Sequence, residues 1–328
     1  MGLAIAEQVR GLVGTKVDGL EEALLEHLDG PAVLKESAAS VLESGGKRLR
    51  PYLHLVAAEL CGYRGEDDIL FASLIEYVHV ASLLHDDVID DSLLRRGRPT
   101  LNQKLGNTLT VLVGDYLCMK AQAMALQQGS PAVARLVSGT TLALVAGEAL
   151  QEAARGRLDL GEDEYFEIVE LKTGRLMAAA CAGAGLLAGE DEGSPRVARL
   201  AEYGALIGRA FQLTDDILDF ESDEDTLGKP VLADLREGTL TLPVIHALRS
   251  GGDEAHELIE SAVSTACADA DTVQAVLSLV RESGGIDVAR ERAAEAAADA
   301  REALSCFPDG LARQALQFAT EFSVQRRF

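Results

Sequence analysis

Helix-period segments follow one another along the whole chain, and no stretch alternates β-branched and polar residues as a half-buried strand does. Leu and Ala dominate, Trp is absent, and no Pro/Gly/Ser linker or charge block divides the sequence. The expectation is a single all-α domain over residues 1–328, with a core large enough to need no disulfide staples. Helices are predicted over about 3–28, from Gly30-Pro31 to Ser44, from about Pro51, and over 70–91, 107–127 and 131–156. Two more cover 162–172 and 176–187, and a long one covers 197–220. A charged, Gly-containing loop then runs from Glu221 to Gly238. From Thr241 onward the chain reads as helical hairpins broken near Gly251-Gly252, Gly284-Gly285 and Pro308.

Into this helical background are set two aspartate clusters of one form, Asp86-Asp87-Val88-Ile89-Asp90 and Asp215-Asp216-Ile217-Leu218-Asp219. Carboxylates at i and i+4 share a helix face, and like charges there cost roughly 0.2–0.5 kcal/mol per pair. Doing so twice implies a cation that offsets the repulsion. Hard oxygen donors without Cys or convergent His point to Mg²⁺, which completes its octahedron with water and phosphate oxygens. The clusters are not simply wet helix faces. Behind Asp86 and Asp90 the helical stripe runs through Ser82 or Leu83, His79, Ile75 and Phe71, and is apolar further back. Behind Asp215 and Asp219 lie Gln212, Gly208, Gly204 or Ala205, and Ala201. Those small residues suit either close helix packing or room for a ligand. Two core-facing helices ending in carboxylates can bring both sets to the mouth of one central cavity.

A formal charge of −23 disfavours nucleic acid and anionic membrane surfaces as partners, and it requires any phosphate site to be built locally. Nearly half the residues are apolar, so the chain is not a disordered acidic tail. Cys61, Cys118, Cys181, Cys267 and Cys306 have neither metal-ligand nor redox spacing and read as free thiols. No signal-peptide pattern and no apolar run of spanning length is evident. The expectation is a soluble cytoplasmic protein without a transmembrane segment.

Cations gather where the aspartates need an answer. Gly45-Gly46-Lys47-Arg48-Leu49-Arg50-Pro51 combines a glycine pair, three cations and a helix start, which is an anion site in outline. Arg95-Arg96 follows the first cluster, Lys172-Thr173 interrupts an apolar region, and Gly228-Lys229 follows the second cluster. In order and spacing, GGKRLRP, LLHDDVIDDSLLRRGRPT, LKTG, FQLTDDILDF and LGKP…DLREGTLTLP resemble the trans-isoprenyl diphosphate synthases, or polyprenyl synthetases. The first cluster lacks a two-residue insertion seen in many bacterial farnesyl synthases, so the likeness is to the medium- and long-chain branch, for example octaprenyl diphosphate synthases.

That resemblance implies an isoprenoid-synthase-type helical bundle around a central cavity, working as a homodimer. It implies about two or three Mg²⁺ ions bridged by substrate diphosphate. The metal set would be Asp86, Asp87, Asp90, Asp215, Asp216 and Asp219. Lys47, Arg50, His79 and Arg96 would hold isopentenyl diphosphate. Arg95, Lys172, Thr173, Gln212 and Lys229 would surround an allylic diphosphate. Asp86, Asp90, Lys172, Thr173, Gln212 and Asp215 would carry the catalysis. The family's second lysine before the TLP segment is replaced by Thr239. His79 stands in register with Asp86, while His27, His54, His85, His246 and His256 read as structural. Ala81 and Ser82, just before the first cluster, would set product length. Both are small, which predicts a medium-to-long product, with a farnesyl or geranylgeranyl product or a subunit of a heteromeric synthase as alternatives. A terpene cyclase would not need Lys47, Arg50 and Arg96, and an acidic ion buffer would carry an EF-hand loop that is absent here.

Overall fold

The computed structural model describes residues 2–95, 97–221, 231–267 and 269–325. Among these the regular secondary structure is helical apart from one two-residue ladder, in which β1 (Leu94–Arg95) pairs antiparallel with β2 (Arg98–Pro99). The described residues fall into two compact units whose bounds interleave along the sequence. The first comprises 1–144, 175–205 and 301–319; the second comprises 145–174, 206–300 and 320–328.

In the first unit α4 (Asp67–Ile89) packs against α1 (Gly2–Glu26), α3 (Leu49–Leu60), α6 (Asn107–Gln127) and α9 (Arg175–Leu187). Its sequence explains the position: from Phe71 to Leu84 it is apolar nearly all round, and a helix of that kind must be covered on all sides. Phe71 is fully buried and stacks on His54 with ring centroids 4.5 Å apart. Gly183 of α9 leaves the room, since a Cβ there would collide with the Phe71 ring. Tyr77 donates its hydroxyl to the Leu24 carbonyl of α1 at 2.6 Å. Helix α4 begins about one turn before the predicted start at Leu70, with Asp67 and Asp68 in its first turn, where acids complement the helix dipole.

The second unit is built on the end of α10 (Pro195–Glu221), α8 (Glu162–Val169) and the helices Leu242–Ser264, Ala270–Glu282 and the start of Gly285–Ala303. Leu213, Ile217 and Phe220 meet Tyr165, Val169, Leu242, Val244, Ile259, Val276 and Val280 in one apolar cluster. The break expected near Gly251-Gly252 is a kink at Gly252 (φ 65°, ψ −158°), and Gly284 (φ 78°) ends the helix before it as expected. The predicted break between Lys172 and Leu176 is corrected: α8 runs through a π-helical turn at Glu170–Gly174 straight into α9.

The expectation that no apolar segment reaches spanning length is also corrected. Among the described residues three helices, Asp67–Ile89, Asn107–Gln127 and Pro131–Ala154 (α7), are long and apolar enough by length and composition to cross a membrane. The most apolar stretch of α4 is 67% buried, which accounts for its composition; the other two are only 39% and 28% buried.

Candidate active site

The first aspartate cluster closes α4. Asp86 and Asp90 lie half-buried on its last turn, with Asp90 as the C-cap, while Asp87 points inward and is 3% exposed. Asp87, about 100° round the helix from Asp86, is the acid that the core covers, which corrects the expectation that the Asp86–Asp90 stripe is the core-facing one. Asp87 accepts from Arg95 Nε at 2.8 Å, and its backbone carbonyl accepts from Asn102 Nδ2 at 3.0 Å. Burial pushes the Asp87 carboxyl up, and the Arg95 guanidinium pulls it back. Arg95 therefore reaches the first cluster from the β1–β2 hairpin rather than from a continued helix.

The GGKRLRP segment supplies the cations of this unit. Arg48 adopts a left-handed backbone (φ 45°, ψ 36°) and caps α3, so the chain turns sharply between Lys47 and Leu49. Lys47 stays exposed. Arg50, in the first turn of α3, donates from Nη1 to Nε2 of His79 at 3.1 Å. A guanidinium has no acceptor, so His79 accepts there and carries its own proton on Nδ1. Close by is a cavity of about 270 Å³ lined by His79, Asp87, Arg95, Arg48, Glu76 and Lys104, among others. Ala81 is fully buried and Ser82 donates to the His79 carbonyl; neither lines this cavity.

The second cluster ends α10. Asp215 is half-buried, and its neighbours are fully committed within the protein. Asp216, 2% exposed, accepts from Tyr165 Oη at 2.5 Å and from Gln212 Nε2 at 2.9 Å. Burial and the nearby Asp234 and Asp215 carboxylates push Asp216 up, and the two donors pull it down. Asp219, 1% exposed, accepts from the backbone N–H groups of Ala233 (3.1 Å) and Asp234 (3.3 Å). It thereby fastens the short helix Ala233–Arg236 to the end of α10. The small residues behind this cluster serve packing: a Cβ on Gly208 would stand 3.0 Å from Gly174 Cα, and one on Gly204 would lie 2.7 Å from Ala178 Cα.

The π-helical turn presents Lys172 and Thr173. A single extra residue per turn re-aims side chains in this way, and such turns recur at functional sites. Gly147 of α7 lets the turn approach, since a Cβ there would lie 2.9 Å from the Lys172 nitrogen. Lys172 Nζ pairs with Glu148 of α7 at 2.5 Å. Thr173, 8% exposed, donates to Gln212 Oε1 at 3.0 Å, so Thr173, Gln212 and Asp216 form a hydrogen-bonded run. Arg96 and Lys229 lie outside the described residues.

Glu148 and Tyr165 escaped the sequence reading. Glu148 left a signal, as the single carboxylate inside the apolar run Leu142–Leu150. Tyr165 left none, because its acidic partner is distant in sequence. Among the described residues no group of three or more Asp, Glu, His or Cys side chains is gathered to hold a metal unaided. The half-buried carboxylates of Asp86, Asp90 and Asp215 are hard oxygen donors of the kind that hold Mg²⁺ together with water and substrate phosphates.

Residues 31–280 match the polyprenyl synthetase family model. The chain is 36% identical over 325 residues to octaprenyl diphosphate synthase of Escherichia coli K12, covering 98% of each. It superposes with a TM-score of 0.91 and 32% identity on the Caulobacter crescentus polyprenyl synthase complexed with calcium and isoprenyl diphosphate, again over 98% of each chain. A decaprenyl diphosphate synthase from Rhodobacter capsulatus gives the same TM-score and identity, covering 98% of this chain and 99% of that one. With both aspartate motifs, the GGKRLRP turn and the Lys172–Thr173 turn in place, this chain belongs to the polyprenyl synthetase family of all-α isoprenoid synthases and is a trans-prenyltransferase.

Proposed function

We propose that the enzyme condenses isopentenyl diphosphate with an allylic diphosphate repeatedly, in a Mg²⁺-dependent reaction, to give a medium- or long-chain all-trans polyprenyl diphosphate. The observation that carries the reading is the pairing of Arg50 with His79. Two residues from separate helices, each expected at one diphosphate, lie 3.1 Å apart. In this reading Lys47, Arg50, His79 and Arg96 hold the isopentenyl diphosphate. Arg95, Lys172, Thr173, Gln212 and Lys229 surround the allylic diphosphate. Asp86, Asp90 and Asp215 hold the Mg²⁺ ions, and Asp87, Asp216 and Asp219 brace them. Bound Mg²⁺ supplies charge stabilisation to the departing diphosphate.

The protein's own residues do the rest. Lys172 and Arg95 add positive charge where the C1–O bond breaks and its electron pair leaves with the diphosphate. Thr173 and Gln212 turn fixed dipoles toward the allylic cation. The isopentenyl double bond forms the new bond to C1, and a proton then passes from the adduct to the released diphosphate, leaving a trans double bond. The product is again allylic, so another addition follows. Ala81 and Ser82 are the proposed chain-length positions, and their small size supports a longer product.

We read residues 1–328 as one catalytic domain, since the family match runs through residues of both compact units. We read it also as a soluble cytoplasmic homodimer. Leu112, Met119 and Leu126 stand 51%, 62% and 68% exposed at seven-residue spacing along α6. An apolar stripe of this kind marks an interaction face, and we assign it to a second copy of the chain.

The test is incubation of purified enzyme with labelled isopentenyl diphosphate and farnesyl diphosphate, with and without Mg²⁺, alongside Asp86→Asn and Asp215→Asn. Elongation by the wild type that stops in EDTA and falls at least a hundredfold in each variant is expected. Elongation that survives EDTA, or both substitutions, would reject the proposal.

A further inference from the structure

Tyr165 has no role in the mechanism just described, yet its placement demands one. Its ring sits in the apolar cluster with Val169, Leu213 and Ile217, where a phenylalanine would pack equally well. The hydroxyl is buried, and a buried hydroxyl without a partner costs more than no hydroxyl at all. Here it donates to Asp216 Oδ2 at 2.5 Å, while Oδ1 of the same carboxylate accepts from Gln212 Nε2 at 2.9 Å.

Gln212 is the member of this run whose direction is otherwise undecided. A side-chain amide presents a donor on one side and an acceptor on the other, and it reverses with a half-turn. In the structure the Gln212 NH₂ faces Asp216 Oδ1 at 2.9 Å, which leaves Oε1 to accept from the Thr173 hydroxyl at 3.0 Å. The carboxylate in turn rotates about a broad, twofold torsion unless something holds it. Tyr165 takes one oxygen and thereby sets where the other lies.

We propose that Tyr165 is a positioning residue that acts through Asp216 to hold the Gln212 amide in the orientation that, with Thr173, meets the allylic cation. This rests on the assignment of Gln212 and Thr173 to the allylic site. Tyr165 touches neither substrate; its effect is on the step in which positive charge develops.

The experiment is a double-substitution cycle on the full-length enzyme with Mg²⁺, farnesyl diphosphate and labelled isopentenyl diphosphate. Tyr165→Phe, Gln212→Ala and the pair are compared in kcat, in KM for each substrate and in thermal midpoint. Tyr165→Phe, assayed well below its thermal midpoint, is expected to lower kcat about tenfold while leaving KM for isopentenyl diphosphate nearly unchanged; the midpoint itself falls, because the buried Asp216 carboxyl loses a donor. In the Gln212→Ala background the same substitution is expected to change kcat less than twofold, because residues acting through one another do not add. Full kcat in Tyr165→Phe, effects that multiply, or a kcat loss that disappears when the assay temperature is lowered further below the midpoint would overturn the inference while leaving the site assignment standing. Normal elongation by both Gln212→Ala and Lys172→Ala would remove the site assignment itself, and the role of Tyr165 with it.

Discussion

Arg48 ties three helices with one guanidinium. Its Nη1 donates to Glu76 of α4 at 2.7 Å, Nε and Nη2 take both oxygens of Glu21 on α1 at 2.8 and 3.0 Å, and Nη2 also reaches the Leu42 carbonyl at the end of α2 (Ala32–Leu42), at 2.7 Å. The two charge pairs differ in worth. Glu21 is 55% exposed and its pair contributes about 0.2–1 kcal/mol. The Glu76 side chain is 4% exposed and that of Arg48 9% exposed, so removing the arginine strands a buried carboxylate. Breaking such a pair costs about 3–5 kcal/mol. Arg48→Ala is therefore expected to lose about 3–5 kcal/mol in urea denaturation followed by circular dichroism. Arg48→Met with Glu76→Leu should recover most of that loss, because neither charge is then buried alone. Lys47 and Arg50 flank Arg48 on the same turn, so Arg48→Ala should also raise KM for isopentenyl diphosphate more than it changes KM for the allylic substrate. A stability loss under about 1 kcal/mol, or a double substitution worse than Arg48→Ala, would refute the reasoning.

Four further outcomes are expected. Burial depresses His54 to about 4 against the weaker pull of its bond to the Ala180 carbonyl. It is neutral in the folded chain, so its contribution is full above about pH 6.5 and is lost as pH falls toward 4. That amounts to about 3 kcal/mol, and His54→Gln should flatten denaturation midpoints across that window. Gly204→Ala places a methyl against the Met177 and Ala178 backbone, so overpacking should cost about 1–3 kcal/mol in the same denaturation assay. Ala81→Phe should shorten the product while sparing early additions; an unchanged product distribution on chromatography would remove Ala81 from the chain-length role. Leu112→Glu with Met119→Glu should shift the enzyme to monomers in light scattering, and an unaltered dimer mass would place the interface elsewhere.

What the sequence made legible was whatever depends on local spacing. The i, i+4 relation puts Asp86 and Asp90 on one face, but that Asp87 and not this pair is the acid the core covers was not legible in it. The glycine pair and Pro51 mark the turn into α3, and Gly252 and Gly284 mark a kink and a helix end. The π-helical turn was not legible, because π and α turns use the same residues and differ by one position of register. Lys172 looked like the end of a helix because a charged residue interrupts an apolar run; in the fold Glu148 answers that charge from α7. The hairpin at Leu94–Pro99 is too short for a period-two pattern. Gly204 and Gly208 fitted packing or a ligand equally well until the helix against each was known. Tyr165 and Glu76 lay beyond reach for the same reason, since each is defined by a partner that only the tertiary fold brings near.

The most direct test of the account is the length of the product made by the purified enzyme from farnesyl diphosphate and an excess of labelled isopentenyl diphosphate with Mg²⁺. A ladder of all-trans intermediates ending at one medium- or long-chain polyprenyl diphosphate is predicted. A reaction that stops at geranylgeranyl diphosphate, or no elongation from any allylic starter, would contradict it.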